Sequence, residues 1–320
     1  MSGLSLGGFR PWRRAWFAPL VTLLAVYALF VFLAPETFGR AVNLATMLRQ
    51  TTVVAIAAVG MTFIIIQGGI DLSVGSMVAL TTVVVAWKLK HGASVPVALL
   101  LGIAVVTACG ALNGLGTTAL RITPFIVTLG SMTILRGAAK GLANEQKIDA
   151  DIRGLEALVT PPESGLLPPG VYVALGIALA GAALLHFTRF GRHVFAVGSN
   201  EATARLCGVP VERTKILVYA LGGALAGVAG LMELATLTVG DPTDSEGLEL
   251  QVIAAVVVGG ASLSGGEGSI GGALVGAFLM TVIKTGCTHL GIPNWVQHML
   301  TGAIILTAAA LDRFRRRSSR

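Results

Sequence analysis

"GGIDLSVGS", residues 68–76, stands between two apolar runs, "TTVVAIAAVGMTFIIIQ" at 51–67 and "MVALTTVVVAW" at 77–87. Neither run holds an acidic or basic residue, so Asp71 is the sole charge between Arg49 and Lys88. Two stretches that avoid water are joined here by a glycine-rich turn carrying one carboxylate. Such a unit suits a chain that folds in lipid, where backbone groups are satisfied inside helices and polar breaks are short.

The composition agrees. Of the 320 residues, 54% are hydrophobic and 12% charged, and the mean hydropathy is +0.80. A soluble chain carries roughly 25% charged residues. Aromatic residues are only 6%, too few for the girdles of a membrane β-barrel. The expected fold is therefore an all-α polytopic membrane bundle. A span needs about 20 mostly apolar residues. Ten candidate runs meet or approach this: Trp16–Ala34, Thr51–Gln67, Val74–Trp87, Val95–Leu115, Thr123–Leu142, Val171–Phe187, Ile216–Leu237, Leu250–Leu263, Ser269–Thr285 and Trp295–Leu311. The third, eighth and ninth are short and could merge or re-enter. Arg10, Arg13 and Arg14 precede the first run, which is too long for a signal-peptide core and lacks a cleavage site after it. It is read as a retained helix.

Lys and Arg orient the spans, because cytoplasmic segments are enriched in them. With the N-terminus inside, fourteen fall on inner segments and six on outer ones, while Arg136, Lys140 and Lys284 lie within spans. The six outer ones are Arg40, Arg49, Lys88, Lys90, Lys147 and Arg153. This puts both termini in the cytoplasm. The net charge of +7 needs no nucleic acid, since anionic lipid attracts basic inner loops. No low-complexity linker divides the chain, so residues 1–320 read as one membrane domain. Residues 144–169 form a polar outer loop, 238–249 an acidic outer loop, and 191–215 a basic inner loop.

A second stretch, "VIAAVVVGGASLSGGEGS" at 252–269, echoes the segment around 68–76. Transporters are often built from repeats that meet at the working region. Gly/Ala/Val-rich segments can also resemble one another by chance. Small-xxx-small pairs, Gly223/Gly227 and Gly272/Gly276, permit close helix packing and are read as intrachain contacts.

The chemistry is sparse. Cys109, Cys207 and Cys287 lie far apart, with no CxxC and no paired histidines. No cofactor or metal motif is present. None of the six lysines follows a glycine, so the chain lacks the phosphate-cradling G-x-x-x-x-G-K-[ST] motif. It is not expected to be an enzyme. Ion-coupled transport requires ionisable residues inside the spans. Glu233, Lys284, Arg136 and Lys140 are the candidates, and each also fits structural anchoring near a helix end. Asp71 has two readings. It can belong to the cap and turn between the two helices, satisfying amides at the positive end of the helix dipole. It can also serve in gating or partner contact.

"SNEATARLCGVP", residues 199–210, reads as a short bounded helix. Ser199 or Asn200 can cap it, Glu201 and Arg205 are four apart in the favourable order, and Gly208 with Pro210 ends it. Its small face is Ala202, Ala204 and Gly208, which suits insertion into a partner's groove. A connector lying on the membrane surface is the alternative.

Four stretches then carry a resemblance: "GMTFIIIQGGIDLSVGSMVAL" at 60–80, "TPFIVTLGSMTILRGAA" at 123–139, "GRHVFAVGSNEATARLCGVPVERTKILVYALGGALAGVAGL" at 191–231 and "AVVVGGASLSGGEGSIGGALVGAFLM" at 255–280. In these the chain resembles the permease subunits of bacterial sugar ABC importers of the ribose/xylose/arabinose class, whose relatives also import autoinducer-2. The resemblance covers most of residues 50–312. It implies an inner-membrane permease that works by alternating access, with ATP hydrolysed on a separate subunit. It also implies a second permease copy, a homodimer, and a periplasmic solute-binding protein. By position it makes Asn200, Glu201, Ala202, Ala204, Arg205 and Gly208 the coupling helix that contacts the ATPase. The stretch "DADIRGLEALVTPPESGLLPPG" at 149–170 departs from that pattern. An ion-coupled secondary transporter of a small polar solute remains the rival, and a membrane scaffold is a third class.

The orientation makes a first prediction. Cysteines replacing Ser164 and Ser318 should react with an impermeant thiol reagent from opposite sides of the membrane. Reaction of both from one side would overturn the ten-span reading.

Overall fold

The computed structural model describes residues 17–149, 151–152, 154–162 and 167–318, the last eight by backbone alone. Arg10, Arg13, Arg14, Trp16, Arg153, Ser164 and Arg320 lie outside the described residues. The described chain is almost wholly helical. The order is α1 (Phe17–Leu33), α2 (Ala41–Ile66), α3 (Val74–Lys90), α4 (Val95–Thr118), α5 (Pro124–Leu142) and α6 (Pro169–Phe187). It continues with α7 (Arg189–Ser199), α8 (Glu201–Leu206), α9 (Val211–Leu237), α10 (Leu248–Val258), α11 (Ile270–His289) and α12 (Asn294–Ser318).

A helix covers most of each of the ten predicted runs. Among the described residues five helices, α2, α4, α6, α9 and α11, are long and apolar enough to cross a membrane, and α1 and α10 are shorter apolar helices. Proline marks three starts, in the first turns of α4, α5 and α6. There its missing N–H costs nothing, because that group has no helical partner anyway.

Several boundaries differ from expectation, three of them with a local cause in the flanking residues. Helix α2 begins at Ala41, ten residues before Thr51. "AVNLATMLRQ" contains no Gly or Pro, and Met47 is fully buried, so nothing stops the helix. Arg49 therefore sits inside a helix and not in an outer loop. Helix α9 begins at Val211 rather than Ile216, more than a turn early, right after Pro210. Helix α10 stops at Val258 instead of Leu263, because Gly259 and Gly260 follow and Gly260 adopts φ +96°.

Helix α9 lies at the centre, packed on α2, α3 and α4. Glycines make this possible. A Cβ on Gly110 of α4 would lie 3.2 Å from the Gly223 Cα, and one on Gly60 of α2 would lie 3.1 Å from the Gly222 Cα. Gly227 faces Ile103, and Gly272 and Gly276 face Gly259 and Ala255. Both small-xxx-small pairs thus pack within the chain, as expected. In lipid there is little hydrophobic drive between helices, so close van der Waals contact takes its place.

The helices alternate in direction, so the bundle has two ends. One carries α7, α8 and the turns after α2 and α10. The other carries the segments after α5 and α9. There two short strands, β1 (Ile148–Asp149) and β2 (Val239–Gly240), pair antiparallel, and Lys147 meets Asp241 at 3.0 Å. The 238–249 segment is not a free-standing loop, however. It folds back along α3: Gly240 packs against Thr82, Val83 and Ala86, and Ser245 and Glu249 lie against Gly75. Arg136 of α5 pins it, donating to the carbonyls of Pro242 at 3.0 Å and Asp244 at 2.6 Å. That is the anchoring role expected of Arg136.

The glycine contacts predict unequal costs. Gly223→Val should destabilise the protein by about 1–3 kcal/mol through overpacking. Gly176→Ala, where a Cβ meets nothing within 4 Å, should be neutral or gain up to about 1 kcal/mol from helix propensity. Thermal unfolding in detergent measures both, and equal melting temperatures would refute the packing account.

Candidate functional site: a glycine-linked end of the bundle

Asp71 lies in the turn between α2 and α3 and is 0% exposed. It does not cap α3. The N-cap is Ser73, which makes no side-chain capping bond. Instead Asp71 Oδ1 accepts from the Ser73 N–H at 2.8 Å and the Ser73 hydroxyl at 2.5 Å. This is an Asx turn, in which a short polar side chain bonds the backbone two residues on. The correction to the capping reading is one of register: α3 starts three residues after Asp71, too far for its carboxylate to reach the helix amides.

Three helices clamp this turn. Asn113 of α4 donates to Ser73 Oγ at 2.9 Å. Thr128 of α5 donates to the Ile70 carbonyl at 3.2 Å, and Tyr219 of α9 donates to the same carbonyl at 3.3 Å. Even so, Asp71 Oδ2 and both amide atoms of Gln67 are buried without partners among the described residues. Each such group costs about 1–3 kcal/mol when left unpaired.

The two echoing segments meet here. The Gly266 N–H donates to the Ile66 carbonyl at 2.8 Å, and a Cβ on Gly265 would lie 3.1 Å from Gly68. Gly198, next to last in α7, packs on the same Ile66 carbonyl and on Gly266. The segment that leads into α8 therefore touches both turns, backbone to backbone.

Helix α8 is built as its residues suggest. Asn200 Oδ1 accepts from the Thr203 N–H at 2.9 Å. Glu201 and Arg205 form the expected i,i+4 pair at 3.5 Å. Gly208 has φ +79°, and the Val209 N–H returns to the Ala204 carbonyl at 3.0 Å, a left-handed close that glycine permits.

Two expectations about α8 fail. It is not isolated: α7 runs straight into it, and Asn200 ends one helix and caps the other. The signal for α7 was Phe190, Val194 and Val197 in "RFGRHVFAVGS", one apolar stripe at helical spacing. Nor does Ala204 face outward. It is 4% exposed and packs with Val197 and Val211, so the small residue serves closeness to its own chain. Every other residue from Glu201 to Gly208 is exposed, with Leu206 at 89%. Sequence reading also missed the ties that hold α8 to α9. Arg205 pairs with Glu212, and Lys215 with Glu201 at 2.6 Å. Beside them a groove of about 570 Å³ runs from α8 to Thr117 and Thr118 at the end of α4 and Arg121 of the α4–α5 turn.

Comparison with known proteins follows this geometry. Residues 43–309 match the family described as branched-chain amino acid transport system / permease component. The chain belongs to this permease family. It is 38% identical to the ribose import permease protein RbsC of Escherichia coli K12, over 98% of this chain and 99% of that one. It is 34% identical to the autoinducer 2 import system permease protein LsrC of Enterobacter sp. strain 638, over 91% and 84%. The xylose transport system permease protein XylH of E. coli K12 is 30% identical over 98% and 96%. No solved structure matches. The matched region of the family includes the turn at 67–73, the α7–α8 segment and the turn at 259–269.

The Asx turn makes a prediction. Asp71→Asn keeps the Oδ1 acceptor and should leave stability nearly unchanged. Asp71→Ala strands the Ser73 amide and should cost about 1–3 kcal/mol. Equal melting temperatures for the two variants would show that the turn does not depend on this carboxylate's bonds.

Proposed function

We propose that this protein is the membrane permease of an ATP-driven importer for a sugar or sugar-like solute. The three relatives named above transport, by their names, ribose, xylose and autoinducer-2. The observation that carries the reading is the construction of α8. It is capped, ion-paired to α9, and exposed, with Leu206 at 89%. Its Glu201 and Arg205 line a groove that reaches the α4–α5 turn. An exposed element held this firmly supports a docking surface more than a loose connector.

In this reading the ten helices other than α7 and α8 lie in the bilayer of the inner membrane, and residues 1–320 form one domain. Both termini and the 191–215 segment are cytoplasmic, and residues 144–169 are periplasmic. A separate ATP-binding subunit docks on Asn200–Gly208, a solute-binding protein delivers from the periplasmic side, and a second copy of the chain completes a homodimer. The permease hydrolyses nothing itself. Motion of the ATPase reaches the spans through Gly198, which bears on the turns after α2 and α10. The unpaired groups at Gln67 and Asp71 make that first turn the part of the core with most to gain from a second arrangement, which supports a gating role for Asp71.

The rival, an ion-coupled secondary transporter, draws support from Glu233, set within α9 beside Asp244 and Lys284. It gives the exposed face of α8 no task.

Leu206→Asp tests the proposal. The variant should insert and melt like the parent, because the Leu206 side chain is exposed. It should lose co-purification of the ATP-binding subunit and ATP-driven uptake. Co-purification at the parental level with uptake intact would overturn the docking assignment. Ala204→Asp, by contrast, should unfold the α7–α8 segment, since it buries an unpaired carboxylate.

A further inference from the structure

At the end of the bundle opposite α8, charged side chains enter the helix core. Arg49 of α2, Glu233 of α9 and Lys284 of α11 line a cavity of about 200 Å³ together with Gln50, Gln251 and Thr281. A second cavity of about 240 Å³ shares Gln251 and Lys284 and continues to Glu246, Gln297 and His298. The space has a structural cause. Helix α10 is antiparallel to α11, with Ala255 against Gly276 and Gly259 against Gly272. That register sets Gln251, in the first turn of α10, opposite Met280. The last five residues of α11, 285–289, rise beyond Lys284 with no part of α10 beside them, roughly 8 Å at 1.5 Å per residue. The 241–247 segment folds inward and leaves the gap open.

Ionisable groups inside an apolar bundle are costly and mark functional sites by default. Here both signs are present. Arg49 and Lys284 bring two positive charges, Glu233 and Glu246 bring carboxyls to the walls, and Asp244 is hydrogen-bonded beside Glu233. No single sign of charge dominates the walls. What the walls offer is hydrogen bonding in both directions: donors on Arg49 and Lys284, acceptors on Glu233, and both on the Gln50, Gln251 and Gln297 amides. Arg49 Nε is a buried donor with no partner among the described residues. Neither cavity is lined by Phe, Tyr or Trp.

We propose that these joined cavities are the vestibule that receives the transported solute, and that they bind a neutral, polyhydroxylated molecule of sugar size. The hydroxyls of such a solute accept from Arg49, Gln251 and Lys284 and donate to Glu233. The assignment rests on the permease reading and adds to it the residues that the solute meets. The recess opens toward the periplasmic side, and closure of α10 and α12 against α2 and α9 would empty it inward.

Thiol accessibility in the assembled complex tests this, with a panel of sugars as the probes. Cys109, Cys207 and Cys287 are first replaced by serine. Gln251→Cys is then introduced, with Val252→Cys, at a fully buried position, as the control. An impermeant, hydrophilic thiol reagent is added from the side of residues 144–169. Gln251→Cys should react and Val252→Cys should not. Neutral aldopentoses and aldohexoses should slow the reaction at position 251, with ribose 5-phosphate ineffective. An unreactive position 251 would overturn the vestibule. Reaction that no neutral sugar slows, or that ribose 5-phosphate slows equally, would overturn the solute class. Failure of the permease reading is seen separately, in ATPase co-purification with the Leu206 variant, which touches no vestibule residue.

Discussion

One backbone contact organises the end of the bundle that carries α8. The Gly266 amide donates to the Ile66 carbonyl, and Gly198 of α7 packs on that same carbonyl. Three chain segments far apart in sequence come together there with no side chain between them. Helix termini within a bilayer leave carbonyls that water cannot reach, so the last carbonyl of α2 must find a donor in the protein. Gly266 supplies it. The glycines at 198, 265 and 266 are the condition for that approach, and the positions of α8 and both turns follow from it.

The turn at 67–73 shows the same pressure from the polar side. Asn113, Ser73 and Asp71 form a chain of hydrogen bonds, and Thr128 and Tyr219 share the Ile70 carbonyl. Those bonds tie α4, α5 and α9 to the α2–α3 turn. The set is incomplete, with Gln67 and one oxygen of Asp71 unpaired among the described residues. A half-satisfied polar cluster in a low-dielectric core is high-stakes. It rigidifies what it reaches and leaves a residual drive to rearrange. The turn is therefore both tied to three helices and incompletely satisfied.

At the opposite end the constraint is length. The single short helix α10, Leu248–Val258, reaches roughly half of a 30 Å hydrocarbon layer. The chain between α9 and α10 must then descend to meet its start, and Arg136 holds it down. The gap above Gln251 is a consequence of this short helix, and the charges of Arg49, Glu233 and Lys284 face it because their helices converge there. The outer-end charges that read as helix anchors from sequence thus gain a common space.

The sequence by itself determined the helical class, the positions of the apolar runs and the limits of α8. Those features depend on local pattern: runs of apolar residues, the Asn200 cap, the Gly208 stop, proline in first turns. It also carried the echo between 68–76 and 259–269, though not its meaning. Tertiary structure alone decided which way Ala204 points, because a six-residue helix has no period long enough to show a face. It alone decided that Asp71 bonds Ser73 rather than the helix beyond, a matter of one turn's register. And it alone brought Arg49, Glu233, Gln251 and Lys284 together. They lie on four helices, and no local pattern records which ends of those helices meet.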